Sequence, residues 1–217
     1  MLLSVHIPKT AGVSFRKVLA QIYGPGFVQY YWEITDAWGR VRADVPSDAT
    51  CVHGHFVAHI LAEKYPDATL ITWVRNPVER VASSYYFRLR NPDWKHPVCV
   101  ELHEKKLSLL EYAGLELVRN EMTRFFGQKQ PADFAFIGLV EEIESSMTVF
   151  FDRFELHPVP IPRDNYNPDR QNAYYDLSEG ERRQILELNQ ADWDLYQVCS
   201  ERYYKELGNH TGIARHG

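Results

Sequence analysis

Lys9, Thr10 and Ser14 bring one ammonium and two hydroxyls to the stretch SVHIPKTAGVSF, residues 4–15, between an apolar run and a helical pattern. A loop that enters a helix offers unpaired N–H groups and the positive end of the helix dipole, so this composition suits a phosphate or sulfate. It is not the triphosphate loop G-x-x-x-x-G-K-[ST], because Gly12 follows the lysine and no glycine precedes it. On these residues alone, an ordinary turn with a solvated lysine fits as well. A second group is Arg75 with Ser83, the arginine at the end of an apolar segment and the serine two turns into the following helical pattern. The plain alternative is that Arg75 pairs with a carboxylate such as Glu79 and that Ser83 is surface. The third is His53-Gly54-His55, where strand alternation puts both rings on one side and the glycine admits a close neighbour. A neutral histidine is a natural general base, and a hydrogen-bonded structural histidine is the bland competitor. Metal ligation with His59 lacks a further ligand pattern, so no metal is expected.

These residues need elements to hold them. Leu2 to Ile7 reads as a strand, and Phe15, Val18, Leu19, Ile22 and Tyr23 follow helical spacing up to the stop at Gly24-Pro25-Gly26. Thr50 to Val52 runs into the histidines, and Ala68 to Val74 reads as a buried strand. Asn76 as N-cap and Pro77 at the first helical position open the next helix. Ser108 with Glu111 spells a capping box for a helix ending by Gly127, Phe134 to Val140 is a further strand, and Ile143, Met147, Phe150 and Phe151 mark the helix behind it. Residues 155–176 break into a loop, and Ser178 with Glu181 opens helix in one or two pieces to Leu207. Strands alternating with helices predict an α/β fold with a mainly parallel sheet covered on both faces. Ligands bind at the carboxyl ends of such strands, so the loops after Ile7 and Val74 should face one crevice.

The 217 residues, 45% hydrophobic, suffice for one core, predicting a single domain over 1–217 with 209–217 as a frayed tail. A net charge of -5 gives no support to a sequence-blind grip on nucleic acid. Three scattered cysteines, Cys51, Cys99 and Cys199, suit a reducing cytosol better than a disulfide framework. No run approaches the roughly 18 apolar residues of a membrane span, which predicts a soluble chain.

In order and spacing, HIPKTAGVSF, VHGHF, WVRNPVERVASSYYFRLR and FIGLVEEIESSM, with NQADWDLY late in the chain, resemble the sulfotransferases that use 3′-phosphoadenosine 5′-phosphosulfate (PAPS). The resemblance is to the carbohydrate type that includes heparan sulfate 2-O-sulfotransferase and its bacterial relatives. It implies a P-loop-like PAPS sulfotransferase fold and PAPS as co-substrate. It also implies that Lys9, Thr10, Ala11, Gly12, Val13, Ser14 and Phe15 belong to the loop around the 5′-phosphosulfate, with Lys9 at the bridging oxygen. Arg75 and Ser83 match the pair on the 3′-phosphate, His55 the general base, and His53 a second functional histidine. Arg163, in the irregular loop, is placed to close over the nucleotide. The acceptor is expected to be a hydroxyl, of a carbohydrate or similar compound, with Arg88, Arg90, Tyr86 and Trp94 as candidate contacts. The acidic balance speaks against a heparan-like polyanion and leaves room for a singly anionic sugar. The animal enzymes carry a membrane anchor and secretory cysteines that this sequence lacks, which points to a bacterial cytoplasmic enzyme. Two other functions are weighed: a 3′-phosphonucleotide-binding module without chemistry, and a kinase-like phosphoryl transferase, which would need magnesium ligands and a triphosphate loop.

Overall fold

The computed structural model describes residues 1–31, 40–41, 44–160 and 174–213, with side chains to 208. Its strands are β1 (Leu2–Val5), β2 (Phe27–Tyr30), β3 (Cys51–Gly54), β4 (Thr69–Val74) and β5 (Phe136–Leu139). All pair in parallel, in the order β2-β3-β1-β4-β5. β1 is central, so the chain turns from one half of the sheet to the other about it. That is where an open α/β sheet has its crevice.

Side-chain alternation divides the sheet into two faces. Leu3, Val5, Val52, Leu70 and Val74 pack with Phe125, Phe126, Cys199 and Tyr203, which belong to α6 (Glu121–Phe126) and α9 (Gln190–Ile213); α2 (Ala58–Lys64) adds Leu61. Leu2, Cys51, Ile71, Trp73 and Phe136 pack on the other side with Phe15, Val18 and Leu19 of α1 (Gly12–Tyr23) and Met147 and Phe150 of α7 (Ile143–Arg153). A third apolar cluster joins α3 (Pro77–Arg90), α4 (Pro97–Glu104), α5 (Leu109–Ala113) and α8 (Glu179–Leu188). The α/β reading with a parallel sheet covered on both faces is therefore observed.

Local signals set most boundaries. The Asn76 side chain accepts from the Val78 and Glu79 amides and Pro77 fills the first helical position, so α3 starts where β4 ends. Both capping boxes form. The helix expected from Ser108 to Gly127 is instead two short ones, broken after Ala113 and restarted behind Asn120, whose φ is 49°. Asp192 accepts from the Met122 and Thr123 amides and so caps α6 from α9, a long-range contact that local spacing does not reveal. The last helix runs past Gly208 to Ile213.

Candidate active site

The loops after β1 and β4 open onto one cavity of about 360 Å³. Lys9, Ala11, Gly12, Val13, Ser14, Arg75, Ser83, Arg88 and His55, all expected from the sequence, line it together with His6, Arg16, Tyr31, Phe87 and others. Among the described residues, the cationic lining groups are Lys9, Arg16, Arg75 and Arg88, against Asp93 as the carboxylate. The acidic chain thus concentrates positive charge at the carboxyl end of its sheet, where an anionic ligand gains most.

The β1–α1 loop holds an unusual backbone. Lys9 and Ala11 hold left-handed backbone, φ 70° and 61°, and α1 opens behind Ala11 with no side-chain cap. Gly12, Val13 and Ser14 of its first turn line the cavity, and the first N–H groups of a helix have no intrahelical partner. A Cβ at Gly12 would lie 1.9 Å from His6 Nε2, so only glycine lets the helix start this close to the ring. Arg75 crosses from β4 to donate to the Lys9 carbonyl at 3.3 Å. The Lys9 ammonium rests 3.7 Å from the centre of the Phe87 ring. Burial, with Arg75, Arg88 and Arg90 nearby, lowers the Lys9 pKa to about 7.

Three histidine rings stack at the ends of β1 and β3. His6 lies between the other two, 5.0 Å from His53 and 4.4 Å from His55 by ring centres. Gly54 is required between them, because a Cβ there would fall 1.7 Å from the Tyr30 carbonyl oxygen. His55 donates from Nδ1 to the His6 carbonyl at 2.8 Å, which leaves the lone pair of the neutral ring on Nε2. Burial lowers its pKa to about 3, against the hydrogen bond to the His6 carbonyl, which raises it, and nearby Arg88 and His96 add to the lowering. His53 is also held down, to about 3, first by burial, and its Nδ1 meets Ser4 Oγ at 2.9 Å. Its ring stands behind the cavity wall, beside Phe15 and Phe27.

Not every expected residue reaches the cavity. Thr10 is buried and spends its hydroxyl on the Ile7 carbonyl at 2.8 Å, so it fastens the turn from inside and offers no donor to a ligand. Phe15 packs under the loop against Trp73 and Phe150. Tyr86 stacks on Tyr175, and Trp94, 61% exposed, lies over His103; neither lines the cavity, nor does exposed Arg90. Arg163 lies outside the described residues. Ser83 is buried in the wall, not surface as its plain alternative had it, and Glu79 receives Arg182 at 3.1 Å and the Tyr175 amide at 3.0 Å. His6, Arg16, Tyr31 and Phe87 are among the lining residues that the sequence reading missed. Only for His6 was there a signal: as the next even residue after Leu2 and Ser4, it shares their face.

The family model described as "Sulfotransferase family" matches residues 1–198. The chain belongs to that family. It is an enzyme of PAPS-dependent sulfuryl transfer. Among solved structures, the chain is similar to a sulfotransferase from Alicyclobacillus acidocaldarius, with 14% identity and a TM-score of 0.50 over 91% of this chain and 95% of that one. This likeness shows the common fold. A mouse sulfotransferase, SULT7A1, complexed with PAP, aligns at 14% identity and a TM-score of 0.40 over 73% of this chain and 60% of its own. No curated protein sequence matches the chain. No helix among the described residues is long and apolar enough to cross a membrane.

Proposed function

We propose that this sulfotransferase binds PAPS across the β1–α1 and β4–α3 loops and moves its sulfuryl group to a hydroxyl of a carbohydrate, with His55 as general base. The observation that carries the reading is the meeting, in one cavity, of an uncapped helix start, two separate cationic groups and a histidine of defined tautomer. The donor supplies an already activated sulfuryl group. Gly12, Val13 and Ser14 amides with Lys9 hold its phosphosulfate, and Arg75 with Ser83 takes the 3′-phosphate. His55 Nε2 accepts the proton of the attacking hydroxyl, while Lys9 and the amides meet the charge that builds on the departing phosphate. A ring neutral at physiological pH is in the form a base needs, and an anionic donor beside it strengthens its hold on the proton. His53, out of reach of the cavity, serves by positioning the stack. The three buried free thiols fit a reducing cytoplasm.

Calorimetry with 3′-phosphoadenosine 5′-phosphate beside ATP and ADP tests the donor site. The 3′-phosphorylated nucleotide should bind at least tenfold more tightly, and equal affinity for ATP would remove the role of Arg75 and Ser83. His55→Ala should keep nucleotide affinity within a few fold and abolish transfer; unchanged turnover would remove it as the base.

A further inference from the structure

Phe87 is an aromatic residue on the wrong face of its helix for packing. Its neighbour Tyr85 joins the apolar cluster of α3, α4, α5 and α8, whereas Phe87 belongs to none of the three clusters. It lies one turn beyond Ser83 and, with Ser84, Arg88 and the C-cap residue Asn91, forms the stripe along α3 that lines the cavity. The ring's face is occupied by the Lys9 ammonium at 3.7 Å. The same lysine is held at two other points, by its left-handed backbone and by the Arg75 guanidinium on its carbonyl.

We propose that Phe87 is a positioning residue for Lys9, its ring face seating the ammonium over the phosphosulfate subsite. The proposal rests on the role given above to Lys9. The need for a seat follows from the surroundings. Arg75 at the end of β4 and Arg88 and Arg90 on α3 repel the ammonium, burial penalises its charge, and His6 stands across the loop. A free lysine there would lose its proton or swing out to water. The negative face of an aromatic ring attracts a cation without neutralising it, so the charge stays available to the donor. A carboxylate in that place would hold the lysine more tightly and would repel the phosphosulfate. The seat also lies on the helix that carries Ser83, so one rigid element aligns the lysine with the 3′-phosphate contact.

The test is an NMR titration of protein labelled with ¹³C at lysine Cε, Lys9 being assigned by its loss in Lys9→Met. In Phe87→Leu the Lys9 pKa should fall by about half a unit to one and a half units, and Phe87→Tyr, which keeps the ring face, should hold the wild-type value. Phe87→Met serves where the leucine variant fails to fold. Affinity for 3′-phosphoadenosine 5′-phosphate gives the second readout. A fall of about one unit makes Phe87→Leu bind roughly tenfold more weakly near pH 8 and less than twofold more weakly near pH 5.5, where Lys9 is charged in both proteins. An unchanged lysine titration, or an equal loss of affinity at both pH values, overturns the proposal and leaves the ring as packing. If Lys9→Met binds the nucleotide as well as wild type, the role of Lys9 itself fails, whatever the Phe87 titration shows.

Discussion

The stacked histidines should make this enzyme acid-labile in a window that carboxylates cannot explain. His53 and His55 are 1% and 5% exposed and hold folded pKa values of about 3, whereas an unfolded histidine titrates near 6.5. Between those values the unfolded chain binds protons that the folded one refuses. Stability from this source is therefore complete above about pH 6.5 and is lost as the pH falls toward 3. Each ring costs about 1.4 kcal/mol per pH unit once the unfolded form is fully charged, so the pair removes roughly 4–5 kcal/mol between pH 6.5 and 4.5. His6, lowered well below its ordinary value by burial and by the two other rings, adds in the same direction. Against a typical 5–15 kcal/mol of total stability, that loss brings acid unfolding close to about pH 4.5. Urea denaturation at a series of pH values measures it. His53→Asn, whose amide can keep the contact with Ser4, should flatten the slope by about one proton's worth. A stability that stays level from pH 7 to 5, or a slope unchanged in His53→Asn, would refute the burial argument.

Lys9, with a pKa of about 7 in the free enzyme, should take up a proton when a phosphate restores its charge. Calorimetry of 3′-phosphoadenosine 5′-phosphate binding near pH 8, in buffers of different ionisation enthalpy, should report an uptake of about 0.9 proton, lost in Lys9→Met. An uptake that survives that substitution belongs to another group. Gly12→Ala puts a Cβ within 1.9 Å of His6 Nε2, so nucleotide affinity should fall at least tenfold, with partial recovery in Gly12→Ala/His6→Ala; wild-type affinity in the single variant would show that the loop gives way. Arg80 is fully buried, paired with Glu121, 3.7 Å from Asp192 and donating to the Val118 carbonyl at 2.8 Å. Arg80→Ala leaves the Glu121 and Asp192 carboxylates without their guanidinium and should cost about 3–5 kcal/mol in chemical denaturation. A loss under about 1 kcal/mol would mean that water replaces the guanidinium.

What the sequence made legible was whatever one element decides by itself. Asn76-Pro77 fixes the start of α3 because the cap and the missing N–H act within one turn, and the two serine capping boxes work in the same way. The loop after β1 was legible as a strand-to-helix turn because the order of strand, lysine, glycine and helix confines it. What stayed hidden depends on register between elements. Thr10 has the composition of a ligand donor, but whether its hydroxyl faces outward is decided by a turn that returns it to Ile7. His6 looks like any strand residue until β1 pairs with β3 and sets Ser4 beside His53, which brings His6 between the two histidines of the HGH stretch. Phe87 is one aromatic among Tyr85, Tyr86 and Phe87, and the helical period names the faces without saying which one meets Lys9. Tyr86, expected among the acceptor contacts, packs on Tyr175 instead, and Tyr85 packs on Tyr112. The ring left to the cavity is the one with no hydroxyl to satisfy. A phenolic oxygen there would need a hydrogen-bond partner beside the donor, whereas a bare ring asks only for the cation it holds.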